Sequence, residues 1–238
     1  MIPLRDLNPS KRFPVVTVAL IAVNAALFIY ELSLGPRLQG FLMQAAFVPA
    51  KALADSGPGT GLGFGVVSGL LSMFLHGGFA HFFGNMLFLW IFGDNVEDLL
   101  GRVRYLIFYL LCGYVATYAH AFAEASSTVP AIGASGAIAG VLGAYVFLYP
   151  KARIVTLLTL GFFFQTVQVP AVVYLGLWFV LQTFSGVMSL QGGEAAGGVA
   201  WFAHIGGFVV GPLLLLLLGG RRPPPEDRYV LPPPRVRY

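Results

Sequence analysis

Six stretches of this chain contain no Asp, Glu, Lys or Arg: 13–30, 56–93, 105–123, 125–150, 154–193 and 195–220. A helix needs about 20 apolar residues to cross the hydrocarbon core of a bilayer. Successive runs of that length point to a polytopic, all-α membrane protein rather than a domain with one anchor. Composition agrees, with 57% of residues hydrophobic and 10% charged, against roughly a quarter charged in soluble domains. A soluble fold of 238 residues could not hide so much apolar surface.

Two of the runs are too long for one helix, so charge must set the count. Spans are predicted at about 14–34, 79–99, 103–123, 130–149, 170–189 and 197–219. Lys and Arg concentrate in cytoplasmic loops. With the N-terminus inside, the inner segments hold Arg5, Lys11, Arg12, Arg102, Arg104, Lys151, Arg153, Arg221, Arg222, Arg228, Arg235 and Arg237, while only Arg37 and Lys51 fall outside. Both termini are therefore expected in the cytoplasm. A seventh span within 154–169 would move the Arg-rich C-terminus outside. That connector is β-branched and aromatic and ends in Pro170, so an interfacial or extended segment is expected. The chain divides into a cytoplasmic N-terminal segment, 1–13, a six-helix membrane domain, 14–220, and a Pro-rich tail, 221–238, expected to be disordered.

Other features narrow the class. Met1 to Pro14 holds Arg5, Asp6, Lys11 and Arg12, and a full-length span follows, so no cleavable signal peptide is expected. The lone Cys112 cannot form an internal disulfide and reads as a packing residue. The basic residues are split among short loops, which excludes a nucleic-acid face. No internal repeat argues for a repeat-built transporter. In the first loop, about 35–78, Phe41 to Val48 is expected at the interface, followed by a turn-rich break at 56–65.

Polar side chains inside a membrane are costly and default to functional hypotheses. The candidates are Asn24, Glu31, His76, His81, Asn85, Glu97, His120, Ser135 and His204. Ser135 lies five residues into a span that begins near Pro130, and His204 seven into one that begins near Gly197. At 1.5 Å per residue both sit roughly 8–11 Å below the outer boundary. His81 and Asn85 lie two and six residues into the second span, four apart on one helix face. Four polar groups from three spans thus reach one layer. The stretch "AIGASGAIAG" at 131–140 surrounds Ser135 with Gly133, Gly136 and Gly140, while His204 shares a face with Gly207 and Gly211. Small residues at such spacing let membrane helices approach closely.

That combination suits nucleophilic catalysis. A serine hydroxyl attacks well only when a base removes its proton. The resulting oxyanion needs aimed donors, each worth about 2.7–4 kcal/mol. The backbone N–H of Ser135, near a helix N-terminus, and the side chains of His81 and Asn85 are candidates. No Asp or Glu lies in this layer, so a dyad is expected. Blander readings stand beside it. A serine in a span often bonds back to its own helix. His120 reads as packing, and Asn24 and Glu31 as helix-contact or interface residues. His76 with His81 could ligate a metal, but a spacing of five suits one helix face poorly and no Cys or carboxylate completes a zinc site. The sequence "GASGA" also lacks the second glycine of the G-x-S-x-G elbow.

Three segments, "HGGFAHFFGNMLFLWIFGDNVED" at 76–98, "GASGAIAG" at 133–140 and "AHIGGFVVG" at 203–211, resemble the signature segments of the rhomboid intramembrane serine proteases, in the family's order. The resemblance covers roughly residues 10–220 and implies a rhomboid-like bundle of six transmembrane helices. It implies Ser135 as nucleophile, His204 as general base, and His81, Asn85 and the Ser135 N–H as the oxyanion hole. Glu97 matches an acidic position that reads as structural. Such enzymes cleave single-pass or polytopic membrane proteins in or near the lipid bilayer, without metal or cofactor. The resemblance also implies a bacterial inner (plasma) membrane.

The chain departs from the family pattern twice. Some members place Tyr four residues after the serine, stacked on the histidine; here Ala139 stands there, so His204 must be oriented some other way. Some carry a Trp-Arg pair in the first loop, but neither Arg37 nor Lys51 follows a Trp, so this loop should be held differently. The fifth span and the loop "LQGGEAAGGVAW", 190–201, are the expected gate, hinged at its glycines. Two other readings stay open: a catalytically silent protein that holds membrane clients, and a small-solute transporter. The unbroken apolar "PLLLLLL" of the last span disfavours transport. Substrate and oligomeric state are left open.

Overall fold

The computed structural model describes residues 1–54, 63–160, 163–192 and 199–221. The chain runs β1 (Ile2–Asp6), α1 (Val15–Ser33), α2 (Leu38–Ala45), α3 (Pro49–Ala54), α4 (Phe64–Leu71), α5 (Phe79–Leu100), α6 (Arg102–Ala123), α7 (Ser135–Leu148), β2 (Arg153–Leu160), β3 (Phe163–Pro170), α8 (Ala171–Gly192) and α9 (Trp201–Leu217). A helix occupies each of the six stretches expected to span: α1, α5, α6, α7, α8 and α9. Of these, α1, α6 and α8 are long and apolar enough to cross a membrane by themselves. Residues Phe64–Phe74 and Phe79–Leu100 meet at 84° and make a fourth if taken as one broken span. The apolar helices α7 and α9 are shorter, at 14 and 17 residues.

Helix α7 is buried nearly along its whole length, from Gly136 to Tyr145. It packs against α5, α6, α8 and α9. Its start differs from the expectation. Residues 130–134 lie outside any α-helix, and α7 begins at Ser135. Tertiary hydrogen bonds hold this stretch in place: Ala131 N–H donates to Phe47 O at 2.7 Å, and Gly133 N–H to Ser72 O at 2.8 Å. Such N–H groups would be free at any helix start; what keeps this stretch out of the helix is Gly133, whose φ of +123° is not helical.

Several buried polar groups act as joints. Helix α1 starts after Pro14 with no capping side chain of its own. Its free N–H groups are taken instead by Glu97 of α5, which accepts from Val16 N at 2.9 Å, Thr17 N at 2.8 Å and Thr17 Oγ1 at 2.9 Å. A carboxylate at a helix N-terminus also meets the positive end of the macrodipole. At the other end of α1, buried Glu31 accepts the His76 N–H at 3.1 Å. Asn24 bonds locally, donating to Leu20 O at 2.7 Å. Between α5 and α6 the chain turns on Gly101 at φ +76°, where other residues are strained. Cys112 is buried beneath Gly140.

The connector expected to be extended forms a hairpin, β2 with β3, in register from Arg153↔Pro170 to Leu160↔Phe163. Strand β1 adds antiparallel to β2, from Ile2↔Leu157 to Asp6↔Ile154. This strand was not anticipated within the N-terminal segment. The N-terminal segment is held from outside the sheet as well: the Tyr145 hydroxyl donates to Asp6 Oδ2 at 2.6 Å, Asn8 Nδ2 donates to Asn95 Oδ1 at 2.5 Å, and Lys11 N–H donates to Asp98 Oδ2 at 2.8 Å. Burial is the main cause that lifts the Asp6 carboxyl from 3.8 to about 7; Asp94 adds to it and the Tyr145 hydrogen bond opposes it.

The first loop is anchored by an aromatic plug. Phe47 is fully buried, with its ring 5.4 Å from that of Tyr118, and α3 closes over it through Ala52. Much of the turn-rich stretch 56–65, the centre of the 190–201 loop and nearly all of the 221–238 tail lie outside the described residues.

Candidate active site

Helix α9 lies against α7 with almost nothing between them. A Cβ built on Gly207 would collide with Gly136 O, one on Gly211 with Gly140 O, and one on Gly143 with Phe208 O. On the other side of α7, a Cβ on Gly136 would lie 2.8 Å from Ala116 Cβ of α6. The backbone contact sets the level of the two helices. Ser135, the first residue of α7, then faces His204, in the first turn of α9, and Ser135 Oγ lies 2.7 Å from His204 Nε2. Both side chains are half-buried.

Helix α5 brings its two candidates to the same place. Gly133 has φ +123°, which a residue with a side chain rarely adopts, and a Cβ there would lie 2.6 Å from His81 Nε2 and 3.6 Å from Asn85 Nδ2. His81 Nδ1 accepts the Gly77 N–H at 3.4 Å, which leaves Nε2 as the donor facing the Ser135 loop. Asn85 Nδ2 is buried without a hydrogen-bond partner in the structure. An unpaired donor in such a place is costly unless a ligand completes it. Ser135 also opens its helix, where backbone N–H groups have no intrahelical acceptor. His81 and Asn85 thus approach the backbone at Gly133, two residues before the Ser135 hydroxyl.

The site opens into a cavity of about 560 Å³ whose walls include His81, Asn85, Ser135, Trp178, Gln182 and His204. A smaller cavity of about 20 Å³ touches the back of Ser135 and is lined by Thr117 and His120. Its size is about that of one water. His120, expected to be a packing residue, is buried there with Nδ1 unpaired. His76 sits edge-on to His81, ring centres 5.2 Å apart. Among the described residues no group of three or more His, Cys, Asp or Glu gathers as metal ligands would.

Three neighbours of His204 were missed in the sequence. Gln182 Oε1 lies 2.6 Å from His204 Nδ1. The Trp178 ring lies 5.9 Å from the imidazole at 38°, and Trp201 meets it edge-on at 6.2 Å. Position 139 is fully buried, and a Cβ on Gly207 would lie 3.2 Å from Ala139 Cβ, so no large ring fits there. The available signal was Gln182 itself, an amide in an apolar helix, four residues after Trp178.

Residues 64–221 match the family model of the rhomboid domain, about two-thirds of the chain. The chain belongs to the rhomboid family and is a multi-pass membrane protein. It is similar to rhomboid protease GluP of Bacillus subtilis (strain 168), 39% identical over 92 residues, which are 39% of this chain and 18% of that protein. It is similar to the putative rhomboid protease YdcA of the same organism, 33% identical over 94 residues, 37% of this chain and 47% of that one. It also resembles the mitochondrial presenilin-associated rhomboid-like protein A of Danio rerio, 37% identical over 87 residues, 36% of this chain and 23% of that one. In each of these the match spans less than half of the relative's length.

Proposed function

We propose that this chain is a serine-type intramembrane endopeptidase that cleaves single-pass or polytopic membrane proteins in or near the bilayer. The observation that carries the reading is the 2.7 Å contact between Ser135 Oγ and His204 Nε2 beside an unpaired buried Asn85 donor. His204 Nε2 takes the hydroxyl proton as Ser135 Oγ bonds to the scissile carbonyl carbon. The carbonyl oxygen becomes an anion and is held by the Ser135 N–H, His81 Nε2–H and Asn85 Nδ2. The imidazolium returns the proton to the leaving amine as the C–N bond breaks. A water activated by the same base then hydrolyses the acyl-serine.

Six spans with both termini cytoplasmic fit the distribution of basic residues, and a bacterial inner membrane is what the resemblance to bacterial rhomboids implies. The 560 Å³ cavity between α5 and α8 has the size of a ligand site and would receive an unwound substrate segment, with α8 and the 190–201 loop as the gate. The test is labelling of purified protein by a serine-directed fluorophosphonate, together with cleavage of a model transmembrane substrate. Wild type should react and cleave, and Ser135→Ala should do neither while remaining folded. Cleavage by purified Ser135→Ala would reject the mechanism, and absence of labelling in wild type would favour a silent client-binding protein.

A further inference from the structure

We propose that Gln182 is the positioning residue for His204, and that α8 therefore carries part of the catalytic geometry as well as covering the site. The proposal rests on the reading of His204 as base.

A neutral imidazole has one N–H and one bare nitrogen. To accept the Ser135 proton, Nε2 must be the bare one, so Nδ1 must hold the hydrogen and needs an acceptor. Gln182 Oε1 is an acceptor only, and it sits 2.6 Å from Nδ1. The second partner thus fixes the tautomer that the first requires. The flanking rings do not do this. Trp178 and Trp201 restrict the plane of the imidazole, but neither ring offers a strong acceptor to Nδ1. Without Gln182 the ring is free to turn over or to carry its hydrogen on Nε2, where it donates to Ser135 instead of accepting from it. A neutral amide also suits the place: its oxygen orients the ring without adding charge, and the Nδ1–H of the imidazole satisfies it.

Two packing points bring Gln182 to His204. On one side Phe179 of α8 stacks on Phe208 of α9, ring centres 4.6 Å apart. On the other, Gly186 lets α9 close in, since a Cβ there would lie 3.2 Å from Trp201 Cβ and 3.4 Å from Ile205 Cδ1. Residues 179, 182 and 186 share one helix face. The opposite face of α8, with Val173, Leu177, Val180 and Phe184, is exposed. Helix α8 is thus held along one side, the side that carries Gln182. Outward movement of α8 removes the acceptor from Nδ1, so the base is set only when this helix is seated.

The test uses the full-length protein in nanodiscs with ¹⁵N-labelled histidine, His204 being assigned by the signals lost in His204→Gln. Wild type should show Nδ1 protonated and Nε2 bare. Gln182→Leu and Gln182→Met, which remove the acceptor at similar size, should shift His204 toward the Nε2-protonated form. They should lower kcat by about 10- to 100-fold, the scale of loss when a metal-ligating histidine loses its orienting partner, with little change in KM or thermal midpoint. Gln182→Glu keeps an acceptor at the same reach and should recover most of the loss. A wild-type His204 protonated at Nε2, an unchanged tautomer and kcat in both Leu and Met variants, or a Glu variant no better than Leu would overturn the proposal. If wild type neither labels nor cleaves, the protease reading fails, while the tautomer still decides whether Gln182 orients His204.

Discussion

Gly207 of α9 rests on the carbonyl oxygen of Gly136 of α7, with no space for even a methyl group between them. Gly211 meets Gly140 in the same way one turn further on. The hydroxyl and the imidazole lie beside this contact, so their 2.7 Å separation depends on it.

Substituting Gly207 or Gly211 by Val should therefore separate the helices. Overpacking of a tight interior costs about 1–3 kcal/mol, and reactivity should fall further because Ser135 and His204 move apart. Gly176→Ala in α8 is the control: a Cβ there meets nothing within 4 Å, and alanine is favoured over glycine in a helix by about 1 kcal/mol. Thermal midpoints and fluorophosphonate labelling rates of the three variants check this.

On the proposed mechanism, Asn85→Ala should lower kcat by about 10²–10³-fold while leaving KM near its original value, because the donor would act on the oxyanion and not on the bound peptide. His81→Ala should behave alike. Gly133→Ala should also lose activity, since its backbone sits at φ +123° and its Cβ would reach 2.6 Å from His81 Nε2. Steady-state cleavage assays separate kcat from KM.

Glu97→Ala leaves the N–H groups of Val16 and Thr17 and the Thr17 hydroxyl without their acceptor. A buried donor left unpaired costs about 1–3 kcal/mol. The variant should melt lower than wild type in detergent, while the fraction that stays folded keeps its labelling by the probe.

Asp6 gives the fold a pH dependence whose sign follows from burial. Its carboxyl titrates near 7 in the folded protein, against 3.8 for an ordinary aspartate. Between those values the folded chain binds more protons than the unfolded one, so stability falls as pH rises. The contribution is fully present below about 4 and lost above about 7. Asp6→Asn should remove this part of the decline, seen as a smaller difference between thermal midpoints at pH 5 and pH 8.

Much of the architecture could be read from charge. The uncharged runs located α1, α5, α6, α7, α8 and α9, because charged side chains are costly in the hydrocarbon core and keep to the helix ends or to buried partners. The spacing of Gly136 with Gly140 and of Gly207 with Gly211 marked close helix contacts, and one turn between His81 and Asn85 marked a shared face. The start of α7 was misplaced, since contacts with Phe47 and Ser72, remote in sequence, hold 131–133 with Gly133 at a φ of +123°, where no helix runs. Strand β1 was missed for the same reason: "IPLRD" has no partner until β2 lies beside it.

The sequence alone determined that the chain is a membrane bundle, and it named Ser135, His204, His81 and Asn85, because hydropathy, charge bias and short spacings are local properties. Only the tertiary structure decided what holds His204. Gln182 lies 22 residues from it in sequence and 2.6 Å from it in space. That contact arises from the register of α8 on α9, set by Phe179 against Phe208 and by Gly186 against Trp201. A register between two apolar helices is a matter of shape, which depends on both surfaces at once and is written in neither helix separately.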